Sequence, residues 1–433
     1  MISVIQLKKA EKLITYPISF GSLGSVCCGE ESDERWRDLA ERFAVTFPEQ
    51  ECVCLFSAPG RVELSGNHTD HQNGRVLCAA VDADIIALAT PIGDAVVELH
   101  SVGYDRPVLI KLNELQPRSD EQRHSVALIK GVLAYLREHD YRIGGFVAYC
   151  SSRVPPGSGL SSSAAFESLI GSIVNSLYNN NTIPPLALAL AGQYAENKYF
   201  GKPSGLMDQM AACFGGLLAI DFVDPKQPKT ENIDLSTLSF ADHVLAITHT
   251  PVSHRNLTDE YAAIPQEMAL VAKELNGKRL GNIPEERFYR HMPDLIQRLP
   301  ARATLRALHF YRENARVREQ VESLKEGKIK RFFELVRESG LSSWTLLQNV
   351  STADGKSDQK YALALATAEA FLRDSGVTRV HGGGFGGTIQ SWVPTEKIDA
   401  FKKYMDRYCG ENSTHVYSFR PYGATELSLN LQE

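Results

Sequence analysis

Four stretches of this chain gather the residue types that handle anions, hydroxyl groups and protons. The first is a Gly/Ser-rich loop that runs into an apolar helix, Pro155-Pro156-Gly157-Ser158-Gly159-Leu160-Ser161-Ser162-Ser163-Ala164-Ala165. Small residues leave backbone N–H groups bare, and a helix N-terminus adds the positive end of its dipole, so the stretch suits a phosphate. A Ser-rich N-cap, which any helix can carry, is the alternative. The second stretch, Gly60-Arg61-Val62-Glu63-Leu64-Ser65-Gly66-Asn67-His68-Thr69-Asp70-His71, sets many different polar groups between glycines. Recognition of a polyol needs that variety, because each hydroxyl both donates and accepts. Two rival readings stand beside it: a polar turn satisfied within itself, and a zinc site built from His68, Asp70 and His71.

The third stretch runs from Glu196 to Gln209. Glu196 falls near the end of one expected helix and Asp208 in the first turn of the next. A carboxylate at a helix start is a simple dipole partner. Beside a phosphate loop it is a candidate base or metal ligand, and spacing leaves the choice open. The fourth stretch, His381-Gly382-Gly383-Gly384-Phe385-Gly386-Gly387, carries five glycines in six positions. That density implies close backbone approach or positive φ, or else a tight hairpin.

The elements that position these groups follow from periodicity. Phe166, Leu169, Ile170, Ile173, Val174 and Leu177 recur with helical spacing and predict a helix over Ala164–Tyr178. A strand at Phe146–Cys150 feeds the Ser-rich loop. Helices are expected at Ser32–Phe43, His124–Glu138, Pro185–Phe200 and from near Gly205. Strands are expected at Val53–Phe56, Val96–Val102, Pro107–Leu112, Gly216–Phe222 and Val244–Thr248. Asp224–Lys229 reads as a hairpin turn or the approach to a domain boundary. Several helices follow up to Asp374, and strands close the chain. The elements do not alternate strictly, which indicates an α+β fold rather than a doubly wound parallel sheet.

At 433 residues the chain is too long for one compact core, so two domains are expected. Its 43% hydrophobic and 23% charged content is that of an ordinary globular protein. The net charge of -6 argues against a general nucleic-acid binder but allows a local basic pocket. Among eight cysteines only Cys27-Cys28 and Cys52-x-Cys54 are close, and neither has zinc-ribbon spacing. With no apolar N-terminal run and no stretch long enough to span a bilayer, a cytoplasmic enzyme with free thiols is expected.

Taken together and in order, these motifs resemble the GHMP kinase superfamily, and within it the galactokinases. The family's first motif usually runs Gly-Arg-Val-Asn-Leu-Ile-Gly-Glu-His-Thr-Asp-Tyr, against Gly60–His71 here. Pro156–Ala165 matches the second motif and Gly382–Gly387 with Phe385 the third. Gly205-Leu206-Met207-Asp208-Gln209 resembles the family's Gly-Ile-Met-Asp-Gln. The likeness runs from about residue 35 to Gly423-Ala424. It implies an α+β, two-lobed fold, each lobe a mixed sheet plus helices, with the active site in the cleft between them. An N-terminal extension (1–34) would precede an N-terminal domain (35–235) holding the sugar and the ATP phosphate loop, then a C-terminal domain (236–433).

The implied reaction moves the γ-phosphoryl group of ATP, with Mg²⁺, to the anomeric hydroxyl of a sugar, galactose in the family. By matching position, Asp208 accepts the hydroxyl proton. Arg61 beside it steadies the phosphoryl group and keeps the carboxyl ionised. Asn67, His68, Asp70, Gly205 and Tyr261 line the sugar. Tyr261 is placed by Val252-x-His254, which precedes it at the family's spacing. Pro156, Gly157, Ser158, Gly159, Leu160, Ser161, Ser162 and Ser163 wrap the ATP phosphates, and Ser163 and Glu196 approach Mg²⁺. A small sugar is the partner, with neither nucleic acid nor membrane, and a monomer is expected.

The chain departs from the family pattern at four places. Asn67 stands where Glu is usual, Glu63 where Asn is, and His71 where Tyr is. Val350-Ser351-Thr352-Ala353-Asp354 replaces Val-Ser-Cys-Pro-Glu. A neutral amide makes hydrogen bonds roughly half as strong as a carboxylate's. The sugar is therefore where this chain can differ, as a kinase for a galactose derivative or arabinose. A sugar-sensing regulator of the same family is a further alternative. Relatives of that kind tend to lose part of the Ser-Ser-Ala run, and the intact Ser161–Ala165 favours catalysis.

Overall fold

A strand that is apolar at nearly every position needs cover on both faces. In the computed structural model, which describes residues 2–3, 30–155, 157–240, 242–252, 258–352 and 359–427, the first sheet has that cover. Its strands are β1 (Ile2–Ser3), β2 (Cys52–Ser65), β3 (Arg75–Pro91), β4 (Val96–Ser101), β5 (Val108–Lys111) and β6 (Phe146–Ser152), in the order β1-β2-β3-β6-β4-β5. β7 (Leu217–Asp221) pairs with β3, and β8 (Lys229–Ile233) with β7. Only the β4–β6 pair is parallel. Phe56 and Ala58, Ile85 and Ala87, and Phe146 and Ala148 point into one apolar cluster. Their neighbours Val53 and Leu55, Ile86 and Leu88, and Val147 point into another. Successive side chains thus serve opposite faces.

Helix α1 (Glu30–Thr46) covers the second of these faces with Trp36, Leu39, Ala40 and Phe43. It begins inside the segment expected as an extension. The first face is covered by α2 (Ser125–Glu138), α3 (Ser162–Asn179), α4 (Pro185–Tyr194) and α5 (Met207–Phe214). The second sheet holds β9 (His243–His249), β10 (Val377–His381), β11 (Thr388–Pro394) and β12 (Thr414–Tyr417), in the order β10-β11-β9-β12, antiparallel throughout. Between β9 and β10 lie α6 (Thr258–Glu274), α7 (Glu285–Arg298), α8 (Ala301–Lys325), α9 (Ile329–Ser342) and α10 (Lys360–Leu372). α11 (Ile398–Cys409) follows β11, and β13 (Thr425–Leu427) returns to pair with β2.

Three departures from the sequence reading matter for the site. Gly60–Ser65, beyond the strand expected at Val53–Phe56, is the end of β2, with register shifts at Pro59/Arg61 and Glu63/Ser65. Such bulges re-aim side chains near the end of a strand. β3 carries no alternation signal in the sequence, because alanines fill it and two aspartates interrupt it. One of them, Asp84, is buried with purpose. Arg35 of α1 donates to it at 2.6 Å, Arg420 at 3.3 Å, and the Ser57 hydroxyl also donates to it. Finally, the helix expected over Pro185–Phe200 ends at Tyr194 and widens into a π turn, Ala195–Phe200. The wider turn resets the facing of the residues that follow, among them Glu196. Asp224–Lys229 closes the β7–β8 hairpin, as its turn residues suggest.

Asp84 joins α1, β3 and the segment leading to β13. Asp84→Ala leaves one buried guanidinium group, of Arg420, and one partly buried one, of Arg35, without their carboxylate. It is expected to lower stability by about 3–5 kcal/mol, read as a lower urea midpoint.

Candidate active site

The Ser-rich loop is shaped for an anion. Gly157, Gly159 and Ser161 all have positive φ, at 76°, 72° and 58°. Left-handed residues at every second position turn successive N–H groups toward one concave side. Two amides are spent within the loop: Ser158 N–H on Pro155 O at 3.1 Å and Leu160 N–H on the Ser158 hydroxyl at 3.3 Å. Ser161 is the N-cap residue of α3, yet its side chain makes no cap. Its hydroxyl donates instead to Asp208 Oδ2 at 2.7 Å. The start of α3 is thus left uncapped by its own serine, as an anion site at a helix N-terminus requires. Pro156 lies outside the described residues.

Asp208, in the first turn of α5, faces Arg61 of β2. Arg61 Nε donates to Oδ1 at 2.7 Å, and Nη2 lies 2.6 Å from Oδ2. Arg61 also holds the loop, through its backbone N–H to Leu160 O at 2.9 Å and its Nη1 to Gly159 O. Burial alone would push the Asp208 carboxyl up. The adjacent Arg61 guanidinium, with help from Lys202 and the Ser161 hydroxyl, outweighs burial and holds it down at about 2. About a fifth of the Asp208 side chain stays open, 20% against 8% for Arg61.

Behind this pair lies a second carboxylate group. Ser163 Oγ donates to Glu196 Oε1 at 2.6 Å, and Lys202 Nζ lies 2.7 Å from the same oxygen. Gln209 Nε2 bridges Glu196 Oε2 and Glu167 Oε2, both at 3.1 Å. Burial first, then the charge of Glu196, pushes the Glu167 carboxyl well above its ordinary range. Mg²⁺ takes oxygen donors, commonly one or two carboxylates plus substrate phosphates and water. The hydroxyl of Ser163 and the carboxylate of Glu196, beside the Ser-rich loop, fit that donor set.

The polar cluster after β2 meets the glycine hairpin between β10 and β11. Asn67 Nδ2 donates to Gly382 O at 2.5 Å, His68 Nε2 to Gly383 O at 2.9 Å, and Tyr261 Oη to Gly384 O at 2.8 Å. Burial, then the neighbouring His71, lowers His68 to about 3, so its ring is neutral. Asn67 is fully buried. Its amide also reaches Glu63 Oε1 at 2.9 Å, and its carbonyl takes Asn349 Nδ2 at 2.7 Å. Glu63 in turn is paired with buried Arg379 at 2.9 Å. Asp70 Oδ1 accepts the His71 N–H at 2.9 Å. A Cβ on Gly205 would stand 1.8 Å from Asp70 Oδ2, so only glycine admits the carboxylate there.

The structure therefore brings Arg61, Asp208, Gly159, Leu160 and Ser161 into one contact group, with Ser163 and Glu196 adjoining. It brings Asp70 to Gly205, and Asn67, His68 and Tyr261 to the hairpin. It gives no support to zinc at His68, Asp70 and His71. Among the described residues no three His, Cys, Asp or Glu side chains are placed to hold a metal together. Ser253–Leu257, with His254, and Ala353–Ser357, with Asp354, lie outside the described residues. Sequence reasoning gave no role to Glu167, Gln209, Glu313, Arg379 or Asn349. Gln209 follows Asp208 directly, and Glu167 is one helical turn from Ser163, signals that were open to reading. Glu313 of α8, which accepts Ser65 Oγ and Gly66 N–H, both at 3.0 Å, is far away in sequence.

Comparison with known proteins places this geometry. Residues 127–216 match the GHMP kinases N terminal domain. The fold recurs in the crystal structure of the Methanococcus jannaschii mevalonate kinase, with a TM-score of 0.58 over 85% of this chain and 98% of that one, at 18% identity. Residues 41–91 match the galactokinase galactose-binding signature. The chain is 30% identical over 392 residues to the galactokinase of Lactococcus lactis subsp. lactis strain IL1403, covering 88% of this chain and 93% of that one. It is 31% identical over 356 residues to the Pyrococcus furiosus galactokinase, covering 78% and 89%. The crystal structure of Lactococcus lactis galactokinase complexed with galactose matches with a TM-score of 0.78 at 28% identity, over 89% of this chain and 98% of that one. The chain belongs to the galactokinase family of GHMP kinases.

A depressed carboxyl contributes stability above its ordinary pKa and loses it as pH falls through the folded value. Asp208→Asn is therefore expected to be less stable than the unmodified chain at neutral pH. The gap should narrow as pH falls from 3.8 toward about 2, as measured by urea unfolding at each pH.

Proposed function

We propose that this chain transfers the γ-phosphoryl group of ATP to the anomeric hydroxyl of galactose, giving galactose 1-phosphate and ADP. One observation carries the reading: an ionised aspartate, paired with a buried arginine, is hydrogen-bonded to the serine that opens the anion-shaped loop. Phosphoryl transfer asks chiefly for alignment and charge neutralisation, and this group supports both. The sugar oxygen attacks the γ-phosphorus and the bond to ADP breaks. The hydroxyl proton passes to Asp208. A carboxyl held at about 2 is a weak base, which suits a loose transition state where the proton leaves late. Arg61 keeps the carboxyl ionised and places positive charge where the equatorial oxygens gather it.

Gly157–Ser163, with Pro156 before them, cradle the ATP phosphates on loop amides and the start of α3. Ser163 and Glu196 would hold Mg²⁺, which when bound neutralises phosphate charge. His68, Asp70, Gly205 and Tyr261 line the sugar. Asn67 serves the same pocket as part of its frame, because its amide is already spent on protein partners. The two lobes follow the two sheets: the first is built on β1–β8 with α1–α5 and is joined late in the chain by β13, and the second is built on β9–β12. The first sheet's consecutive strands end at Ile233 and the second sheet opens at His243. No described helix is long and apolar enough to cross a membrane. We place the reaction in the cytoplasm, in keeping with the six cysteines among the described residues, all of them free thiols.

A second reading, a related sugar in place of galactose, is favoured by the exchange at 63 and 67. The carboxylate the family sets at the second position stands here at the first, tied to Arg379. A sugar panel coupled to ADP release separates the two. Galactose is expected to give the highest kcat/KM. Turnover confined to a derivative or to arabinose removes galactose. Asp208→Asn is expected to lower kcat by about 10²–10⁴-fold while keeping nucleotide affinity. Equal rates in both proteins would defeat the role given to Asp208. Gly205→Ala, which pushes Asp70 away, is expected to lower kcat/KM for the sugar roughly ten- to a hundredfold, with the KM for ATP little changed.

A further inference from the structure

Lys202 has no role in the mechanism above, yet it sits on one of its oxygens. Its ammonium lies 2.7 Å from Glu196 Oε1, which already takes the Ser163 hydroxyl at 2.6 Å. The two partners differ sharply in exposure. The Glu196 side chain is 0% exposed and that of Lys202 49%. A buried carboxylate is thus neutralised by a cation that reaches in from the solvent side. The base of that tether is fixed, because Lys202 N–H donates to Glu196 O at 3.0 Å across the end of the π turn. The flexible four-carbon stem above it is free to re-aim its charge.

An oxygen that serves a divalent cation cannot keep an ammonium at the same distance, since the two like charges would be pressed together. Ser163, which shares the oxygen, lies in the first turn of α3, whose N-terminus follows the anion-shaped loop. Phosphate oxygens bound there lie next to the ammonium. We propose that Lys202 is a placeholder cation: it occupies Glu196 Oε1 in the nucleotide-free protein, yields that oxygen to Mg²⁺, and then pairs with the nucleotide's phosphate oxygens. This rests on the ATP-dependent kinase reading. Lys202 is then a positioning residue that holds the Glu196 carboxylate in place between turnovers.

The test uses the full chain and two binding measurements. Mn²⁺ is titrated into the nucleotide-free protein and followed by electron paramagnetic resonance. Binding of the non-hydrolysable adenylyl imidodiphosphate with saturating Mg²⁺ is followed by calorimetry. Lys202→Met is expected to tighten Mn²⁺ binding roughly ten- to a hundredfold, the size of one charge-assisted bond removed. It is expected to weaken the nucleotide analogue by a similar factor. Lys202→Arg keeps the charge and should leave both constants near those of the unmodified chain. If Lys202 merely braces Glu196, Mn²⁺ binds Lys202→Met no better than the unmodified protein, and the placeholder role is overturned. If the unmodified protein binds no nucleotide analogue, the kinase reading itself fails and takes this role with it. If it binds the analogue and Lys202→Met moves neither constant, only the placeholder role falls.

Discussion

The pairing of Arg61 with Asp208 is the contact on which the site depends. It joins β2 to α5 across 147 residues of sequence. The same arginine holds the Ser-rich loop twice, by its backbone N–H and by its guanidinium. One residue therefore sets both the position of the loop and the charge of the carboxylate. Without the guanidinium, burial would dominate at Asp208 and favour its protonated form. Placement and ionisation cannot be separated here. Neither the bulged end of β2 nor the π turn before α5 makes sense without the side chains they aim at this point.

Much of this was legible in the chain. Helical spacing marked α3 within two residues at its start, and the hairpin at Asp224–Lys229 announced itself by turn residues. The four polar and glycine-rich stretches were visible because residue types that bind anions and hydroxyls are dense there. Long-range pairing was not visible. β3 is buried on both faces and interrupted by Asp82 and Asp84, so neither alternation nor a clean apolar run betrays it. Asp84 is tolerated only because Arg35 and Arg420, at opposite ends of the chain, arrive beside it. Glu313 on α8 was equally hidden. Its acceptors' partners, Ser65 and Gly66, give no local hint of a helix 247 residues away.

The exchange of Glu and Asn between positions 63 and 67 shows how a departure from pattern is absorbed. Glu63 is buried and burial pushes its carboxyl up, although Arg379 and the Asn67 amide pull the other way. The cost of sinking that charge is offset by a guanidinium that also donates to Leu64 O at 2.5 Å. Asn67 then joins the two, and Asn349 and the hairpin carbonyls complete its hydrogen bonds. The result is a buried polar frame in which each group fixes its neighbour. A change at either position alone would orphan several partners at once.

The hairpin at Gly382–Gly387 has a consequence for how the protein is made. Arg61, the anion loop and Asp208 all leave the ribosome long before the three glycine carbonyls that hold Asn67, His68 and Tyr261. β13, which seals the edge of β2, emerges later still. During vectorial synthesis Arg61, Asp208 and the Ser-rich loop are therefore already present while the carbonyl partners of Asn67, His68 and Tyr261, and the Arg420 partner of Asp84, are still to be made.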